Sequence, residues 1–225
     1  MADLSRVEAL IGKDNLELLK DKKVMVCGVG GVGSFAAEAL ARSGVGHLTL
    51  VDFDVVESSN LNRQLMSEKD NIGKPKVEAM KERLEKVSDC DIKTMDAFID
   101  DRFTIDDDYD YVVDCIDTLT SKFILVKLCH EKDIPIICSL GSAKRINPEN
   151  IRHTSLDKTR NDPLAKAFRG LVKKEGYRKK IDVVYVDTPP IRNGSEILGS
   201  TMFVTGSVGL YIASIVFEKL MEDKK

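Results

Sequence analysis

A glycine-rich turn between an apolar run and an alanine-rich segment is the feature that most constrains this chain. Residues 24–27 are apolar, and Gly28, Gly30, Gly31 and Gly33 follow within six positions. Three of these glycines have the Gly-x-Gly-x-x-Gly spacing of a nucleotide-binding turn, where a phosphate approaches a backbone that lacks Cβ atoms. The following helix offers unpaired N–H groups and a partial positive charge at its first turn. The pattern predicts a phosphate-binding turn in preference to a glycine turn that only packs.

The next apolar run ends in an acidic residue at a position typical of a ribose-binding carboxylate. Residues 47–52 end in Asp52, which lies 19 residues beyond Gly33. A predicted helix over residues 32–43 connects this run to the strand at 23–27, which makes a strand–helix–strand unit. Such a connection requires the two strands to be parallel.

The same alternation of strands and helices continues along the chain and predicts an α/β fold. The length of 225 residues is sufficient to bury a sizeable core. Helices are expected in 1–20, from 73–76 to about 87, and over 119–132, and strands at 91–98, 111–117, 134–140 and 180–186.

The composition is typical of a soluble globular protein, with one basic segment. The chain is 43% hydrophobic and 32% charged, with a net charge of −3, so general attraction to nucleic acid is not expected. Residues 151–180 differ, because ten Lys or Arg against three acids give a local charge of +7. This segment is either a binding site for RNA phosphates or a solvated helix surface. Charged residues near the start, in place of an apolar leader, favour a cytoplasmic location.

The cysteines do not have the spacing of a structural zinc site. None of the five forms a Cys-x-x-Cys pair, so no structural zinc is expected, and buried reduced thiols are the simplest interpretation. They are Cys27, Cys90, Cys115, Cys129 and Cys138.

The run from 197 to 217 contains no charged residue. Its 21 residues are enough to span a bilayer. However, eight of them are Gly, Ser or Thr, and Glu218 and Lys219 follow directly. We therefore predict a closely packed core helix and no membrane association.

Two cations and one further acid favour a triphosphate over a dinucleotide. Arg63 lies in the polar loop 52–64, and Lys76 begins a predicted helix. The pyrophosphate of NAD is already satisfied by backbone amides, so an NAD-dependent dehydrogenase does not explain these cations. Asp117 ends the predicted fourth strand, and its carboxylate suits Mg²⁺. An ordinary surface ion pair is the alternative for each residue taken alone.

Five motifs in register resemble the ThiF/MoeB/HesA family, relatives of the ubiquitin-activating enzymes. They are Gly28-x-Gly30-Gly31-x-Gly33, Asp52-x-Asp54, residues 59–64, residues 73–76 and Asp114-x-x-Asp117. The resemblance covers nearly the whole chain and implies a single adenylation domain over residues 1–225. It implies a Rossmann-like mixed sheet flanked by helices, usually in a homodimer. Members use ATP and Mg²⁺ to convert a carboxylate into an acyl adenylate, releasing pyrophosphate.

The same resemblance assigns roles to individual residues. The nucleotide-binding set that it implies is Gly28, Gly30, Gly31, Gly33, Asp52, Asp54, Asn60, Arg63, Lys76 and Asp117. In this set the glycines cradle the phosphates and Asp52 holds the ribose. Asn60, Arg63 and Lys76 bind the phosphates, and Asp117 positions Mg²⁺. Arg6 is similar, by position alone, to an arginine that family members insert into the neighbouring subunit's site. Arg6, Arg63, Lys76 and Asp117 are the implied catalytic residues.

Further segments are similar to the tRNA threonylcarbamoyladenosine dehydratases within this family. These segments are residues 6–12, 37–44, 157–165 and 199–202. The similarity implies adenylation of the carboxylate of a threonylcarbamoyl group on a tRNA adenosine, followed by ring closure with loss of AMP. The implied partners are tRNA, a second copy of the chain and sulfur-transfer proteins.

Two other functions stay open at this stage. One is adenylation of the Gly-Gly tail of a ubiquitin-like sulfur carrier, although enzymes of that type commonly carry the zinc cysteines that this chain lacks. The other is a binding module that senses a nucleotide without turnover. No cysteine follows Cys138, so a covalent thioester route is not expected.

Overall fold

A computed structural model describes residues 2–222 of the chain. The helices are α1 (Ser5–Ile11), α2 (Lys13–Lys20), α3 (Gly33–Arg42), α4 (Lys76–Glu85), α5 (Leu119–Glu131), α6 (Pro163–Lys174) and α7 (Met202–Met221). The strands are β1 (Lys23–Cys27), β2 (His47–Asp52), β3 (Asp91–Asp96), β4 (Tyr111–Asp114), β5 (Ile136–Ser139), β6 (Ile151–Ser155) and β7 (Asp182–Val186). Short 3₁₀ turns lie at Ser58–Asn60, Lys69–Asn71 and Leu156–Lys158.

The strands form one mixed sheet in the order β3-β2-β1-β4-β5-β7-β6. The first six in this order are parallel, and β6 pairs antiparallel with β7 at the edge. The central strands β1, β2, β4 and β5 are almost entirely buried, as expected for parallel strands with helices on both faces. The strand order reverses between β1 and β4, and a crevice forms at such a switch point beyond the carboxyl ends of the strands.

The apolar core lies on both faces of the sheet. One face packs against α3, α4 and α7, where Leu40, Met80 and Val208 are fully buried. The other packs against α5 and α6, where Leu125 and Phe168 are fully buried. Both layers are needed because an apolar strand surface must be covered on each side.

Helix α7 packs closely on α3, as the small residues in its sequence predict. A Cβ on Gly209 would lie 2.3 Å from the Val32 carbonyl oxygen, and one on Gly206 would lie 2.9 Å from the Phe35 ring. By length and composition α7 would also suit a membrane span, but 56% of that window is buried inside the fold. The described contacts are those of a core helix.

Most predicted elements are present, with some differences at their ends. Strands β1 and β2 have the predicted bounds, whereas β3, β4 and β5 are shorter than predicted. The uncharged run enters its helix only at Met202, and residues 197–201 remain in a loop. Strand β6 was not predicted, because Arg152 and His153 are exposed at the sheet edge and the strand has no apolar alternation.

Candidate functional site

A cavity of about 1470 Å³ opens at the carboxyl ends of the central strands. This volume exceeds the roughly 300–1,000 Å³ typical of a pocket for one small ligand. We call its two parts the near half and the far half. The near half comprises the lining residues that fall within 28–32, 51–64, 76, 97–99 and 115–117, and the far half comprises those within 139–145, 162–167 and 190–200. The cavity therefore has room for more than one reactant.

The glycine turn forms one wall of the near half. Gly28 has a φ of +81°, and a Cβ there would lie 2.8 Å from the Cys115 carbonyl oxygen. Gly30 and Gly31 line the cavity, next to the first turn of α3. Gly33 is not among the lining residues, because it faces inward, where a Cβ would lie 1.8 Å from the Gly28 carbonyl oxygen. The structure therefore shows a packing role for Gly33, and its ligand-binding role stays a prediction.

Asp52 holds the glycine turn against the loop that follows β2. One carboxylate oxygen accepts a hydrogen bond from the Val29 amide at 2.8 Å, and the other accepts from the Asp54 amide at 3.0 Å. Burial raises the pKa of Asp52, while these two amides and the Lys76 ammonium act in the opposite direction. Sequence reasoning predicted a ribose contact and missed this bracing role, since hydrogen bonds to backbone amides leave no sequence pattern.

We expect Asp52→Asn to weaken ATP binding about fivefold to 150-fold. An amide oxygen can accept one of the two hydrogen bonds, and the amide nitrogen then faces the other N–H. Leaving a buried donor unpaired costs about 1–3 kcal/mol. Isothermal titration with ATP measures the effect, and Asp14→Asn on exposed helix α2 is the matched control. Equal affinities in both variants would contradict a bracing role for Asp52.

The predicted phosphate-binding side chains line the near half and are held there by local partners. The Lys76 ammonium lies 2.6 Å from the Asp54 carboxylate, and the lysine is only 6% exposed. One guanidinium nitrogen of Arg63 donates to the Ser59 carbonyl at 2.8 Å. The Asn60 side chain accepts from the Glu57 amide at 3.0 Å. Asn60 therefore shapes its loop, while Arg63 has further donors that these contacts do not use.

Asp117 offers an exposed carboxylate at the cavity, on the turn after β4. Its described hydrogen bond is a long one, at 3.5 Å from the Thr118 hydroxyl. No cluster of three metal-ligating side chains exists within residues 2–222. Mg²⁺ is commonly held by one or two carboxylates together with substrate phosphates and waters, so this donor set fits Mg²⁺ bound with a nucleotide.

An apolar wall in the near half was not predicted as part of the site. Ala97, Phe98 and Ile99 follow β3 and line the cavity. The Phe98 ring packs edge-to-face against Phe53, with centroids 4.9 Å apart. Two exposed aromatic rings at the cavity provide a surface for a flat apolar group such as a purine. The rule that ligands bind at the carboxyl ends of parallel strands applies to β3 as well and indicates this wall.

The far half is built by loops that a buried arginine holds together. Arg145 is 4% exposed, and its guanidinium donates to the carbonyls of Thr188, Ala143 and Asn161 at 2.9–3.1 Å. Asp162 caps α6 and accepts from the Gly141 amide at 2.8 Å. These contacts join three segments that are distant in sequence.

Arg6 lies outside the cavity. It is exposed on α1 and is not among the cavity-lining residues. The role that the resemblance implies for it requires a second copy of the chain, and that role stays a prediction.

The strand order, the glycine turn at the switch point and the acid that ends β2 define a nucleotide-binding protein of the Rossmann-like class. The ThiF family profile matches residues 4–189. The chain belongs to the ThiF family.

Relatives of two kinds are similar to this chain over different shares of its length. A Bacillus subtilis tRNA threonylcarbamoyladenosine dehydratase is 44% identical over 191 residues, covering 83% of this chain and 75% of that protein. The crystal structure of the Escherichia coli enzyme of that name, TcdA, in complex with ATP is similar with a TM-score of 0.88 and 34% identity, covering 97% and 93% of the two chains. An E. coli molybdopterin-synthase adenylyltransferase is 36% identical over 136 residues, 59% of this chain and 54% of that protein. The likeness to the dehydratases is thus the more extensive.

Proposed function

We propose that the protein is an ATP-dependent dehydratase acting on threonylcarbamoyladenosine in tRNA. The observation that carries this proposal is the two-part cavity. The near half contains residues of the predicted nucleotide-binding motifs, and the far half adds volume that a second reactant can occupy. The 44% identity to a dehydratase of that name supports this acceptor over a sulfur-carrier protein.

The first step is adenylation, for which the near half supplies fixed positive charge. The purine packs on the wall at Phe98, and the phosphates lie at the glycine turn and the first turn of α3. Attack of the substrate carboxylate on the α-phosphorus builds charge on the phosphate oxygens, and pyrophosphate leaves. Arg63 and Lys76 stabilise this charge more than that of the ground state. Asp117 would hold Mg²⁺, which neutralises phosphate charge.

The second step is ring closure within the modified nucleoside. A neighbouring group of the same modification attacks the acyl carbonyl, and AMP leaves with the carboxylate oxygen. Tethered reactants gain effective molarities of about 10⁵ M or more, so the step needs no enzyme nucleophile. Cys115 is the thiol that lines the near half, and burial raises its pKa. A protonated thiol is a poor nucleophile.

We propose that helix α6 leads tRNA to the cavity. Pro163, Leu164 and Ala167 line the far half, while Lys166 and Lys173 are exposed on the same helix. The two lysines are seven residues apart, so they lie on one helix face at a separation of about 10 Å along the axis. Several other basic residues of the 151–180 segment have local partners, as Arg160 does with Asp187 at 2.8 Å.

Reversing both charges on α6, in Lys166→Glu with Lys173→Glu, is expected to raise the KM for tRNA at least about tenfold. ATP affinity should not change, and the dependence of tRNA binding on salt should become shallower, because fewer counterions are released. Lys86→Glu with Lys93→Glu, exposed near the opposite β3 edge, is the control. An equal effect in both double variants would place tRNA elsewhere.

We also propose a homodimer. Phe203 and Leu210 on α7, and Leu10 on α1, are more than half exposed, and exposed apolar residues favour an interface. Arg6 lies on the same helix as Leu10, so association through α1 brings this arginine to the partner's surface. We further propose that the protein is cytoplasmic, that it does not associate with a membrane, and that sulfur-transfer proteins are among its partners. Sedimentation of the purified protein measures whether it is a monomer or a homodimer.

A reaction with modified tRNA tests the proposed function. The protein, ATP and Mg²⁺ with threonylcarbamoyl-modified tRNA should release AMP and pyrophosphate in equal amounts. Mass spectrometry of the digested nucleosides should show the loss of one water. Unmodified tRNA and a Gly-Gly-tailed carrier protein are the comparison substrates. Turnover with the carrier alone would support the sulfur-carrier function, and ATP binding without any turnover would reject both.

A further inference from the structure

A completely buried lysine, bonded to a residue that lines the cavity, takes no part in the proposed adenylation and ring closure. Lys122 lies in α5 with an exposure of 0%. Its ammonium donates to the Asp114 carboxylate at 2.8 Å and to the Ser139 carbonyl at 2.9 Å. Asp114 is also fully buried. Lysine is almost never fully buried unless it is paired.

Stability alone is a weak reason for this ion pair. Removing two charges from water costs several kcal/mol for each, and apolar residues of similar volume are often as stable or more stable. Burial works against the charged ammonium, but the Asp114 carboxylate and the nearby Cys138 and Cys115 together hold the pKa of Lys122 above its usual value. The chain therefore keeps a charged pair at a position where a methionine or leucine would fill the space.

The pair connects two strand ends to the turn that carries Asp117. Asp114 ends β4 and Ser139 ends the neighbouring strand β5. The second carboxylate oxygen of Asp114 accepts from the Ile116 amide at 3.0 Å. A continuous series of hydrogen bonds thus runs from Ser139 through Lys122 and Asp114 to Ile116, and Ser139 and Ile116 both line the cavity.

We propose that Lys122 is a positioning residue for adenylation, which acts through Asp114 on the turn 115–117. It orients the Asp114 carboxylate, which in turn fixes the Ile116 amide and the direction of Asp117. Lys122 does not touch the reactants. This inference rests on the proposed nucleotide role of the near half, and it adds the residue that sets the geometry of Asp117.

The same turn also meets the glycine turn. The Cys115 carbonyl oxygen lies where a Cβ on Gly28 would approach to 2.8 Å, and the Cys115 amide donates to the Cys27 carbonyl at 2.7 Å. A displaced turn would therefore disturb both the metal-holding carboxylate and the phosphate-binding backbone. Removing Lys122 should therefore disturb both the Asp117 carboxylate and the glycine turn.

Two variants test the positioning role. Lys122→Met alone leaves Asp114 buried and unpaired, so it is measured beside Lys122→Met with Asp114→Asn, which removes both charges. The readout is the ratio of the dissociation constants for ATP without and with Mg²⁺, measured by isothermal titration on the full chain. We expect the ratio to fall at least fivefold in the double variant, with a tenfold or greater loss of kcat and little change in the KM for tRNA.

A matched control separates positioning from stability. Leu125→Ala removes a fully buried side chain from the same helix, so it should lower the melting temperature but leave the Mg²⁺ ratio unchanged. A wild-type ratio and kcat in a folded Lys122 variant would overturn the proposal, as would an equal fall of the ratio in Leu125→Ala. If wild type binds Mg²⁺ and ATP but forms no AMP, the proposed function fails, while the ratio still decides the role of Lys122.

Discussion

Asp117→Ala is expected to lower the rate of AMP formation on modified tRNA by about a hundredfold to a thousandfold. Asp117 supplies an exposed carboxylate to the near half, and removing one preorganised group from a charge-developing transition state has an effect of this size. The Asp117 side chain contributes little to the stability of the fold, because its described hydrogen bond is a long one from the adjacent Thr118 hydroxyl. The melting temperature should therefore remain close to that of wild type.

Arg63→Ala is expected to give a loss of the same order. Its contacts to Ser59 and Asn62 are local and exposed, so the folded chain survives their removal. A quenched-flow assay of labelled AMP measures both variants, and Asp101→Ala, an exposed carboxylate outside the cavity, is the control. Wild-type turnover in Asp117→Ala or Arg63→Ala would show that the role was assigned to the wrong residue.

The near half was largely predictable because its residues adjoin the ends of regular elements. Asp52 ends a strand, Lys76 begins a helix and Asp117 follows another strand, and all three line one cavity. Parallel strands place their carboxyl ends at one edge of a sheet. A short sequence pattern at the end of a predicted parallel strand therefore predicts where its side chains lie in the folded protein.

The far half was not predictable by the same reasoning. It depends on Arg145 joining three loops through backbone carbonyls, and a carbonyl acceptor is available at every residue. Lys122 likewise gave no signal, because a lysine in a predicted helix is usually solvated. Strand β6 was missed because its residues are polar at a sheet edge, where strands commonly carry charge.

Gly33 shows that a motif position can be predicted from sequence without its packing role. The spacing identifies the residue, but the spacing is the same whether a glycine approaches a phosphate or a neighbouring backbone. The third glycine of the pattern permits the close approach of helix and strand. In this chain the Gly33 position faces the Gly28 carbonyl, so the motif combines ligand-facing glycines with one that serves packing.

Gly33→Ala is therefore expected to destabilise the fold by about 3 kcal/mol or more, since overpacking against an immobile backbone is among the costlier core changes. The new Cβ would lie 1.8 Å from the Gly28 carbonyl oxygen, so α3 or the glycine turn must move, and ATP binding should weaken as well. Gly170→Ala, with no heavy atom within 4 Å of its Cβ in the interior of α6, should instead stabilise by about 0.5–1 kcal/mol. Thermal unfolding should separate the two by roughly 7–16 °C in this size class, and a similar melting temperature for both would contradict the packing role of Gly33.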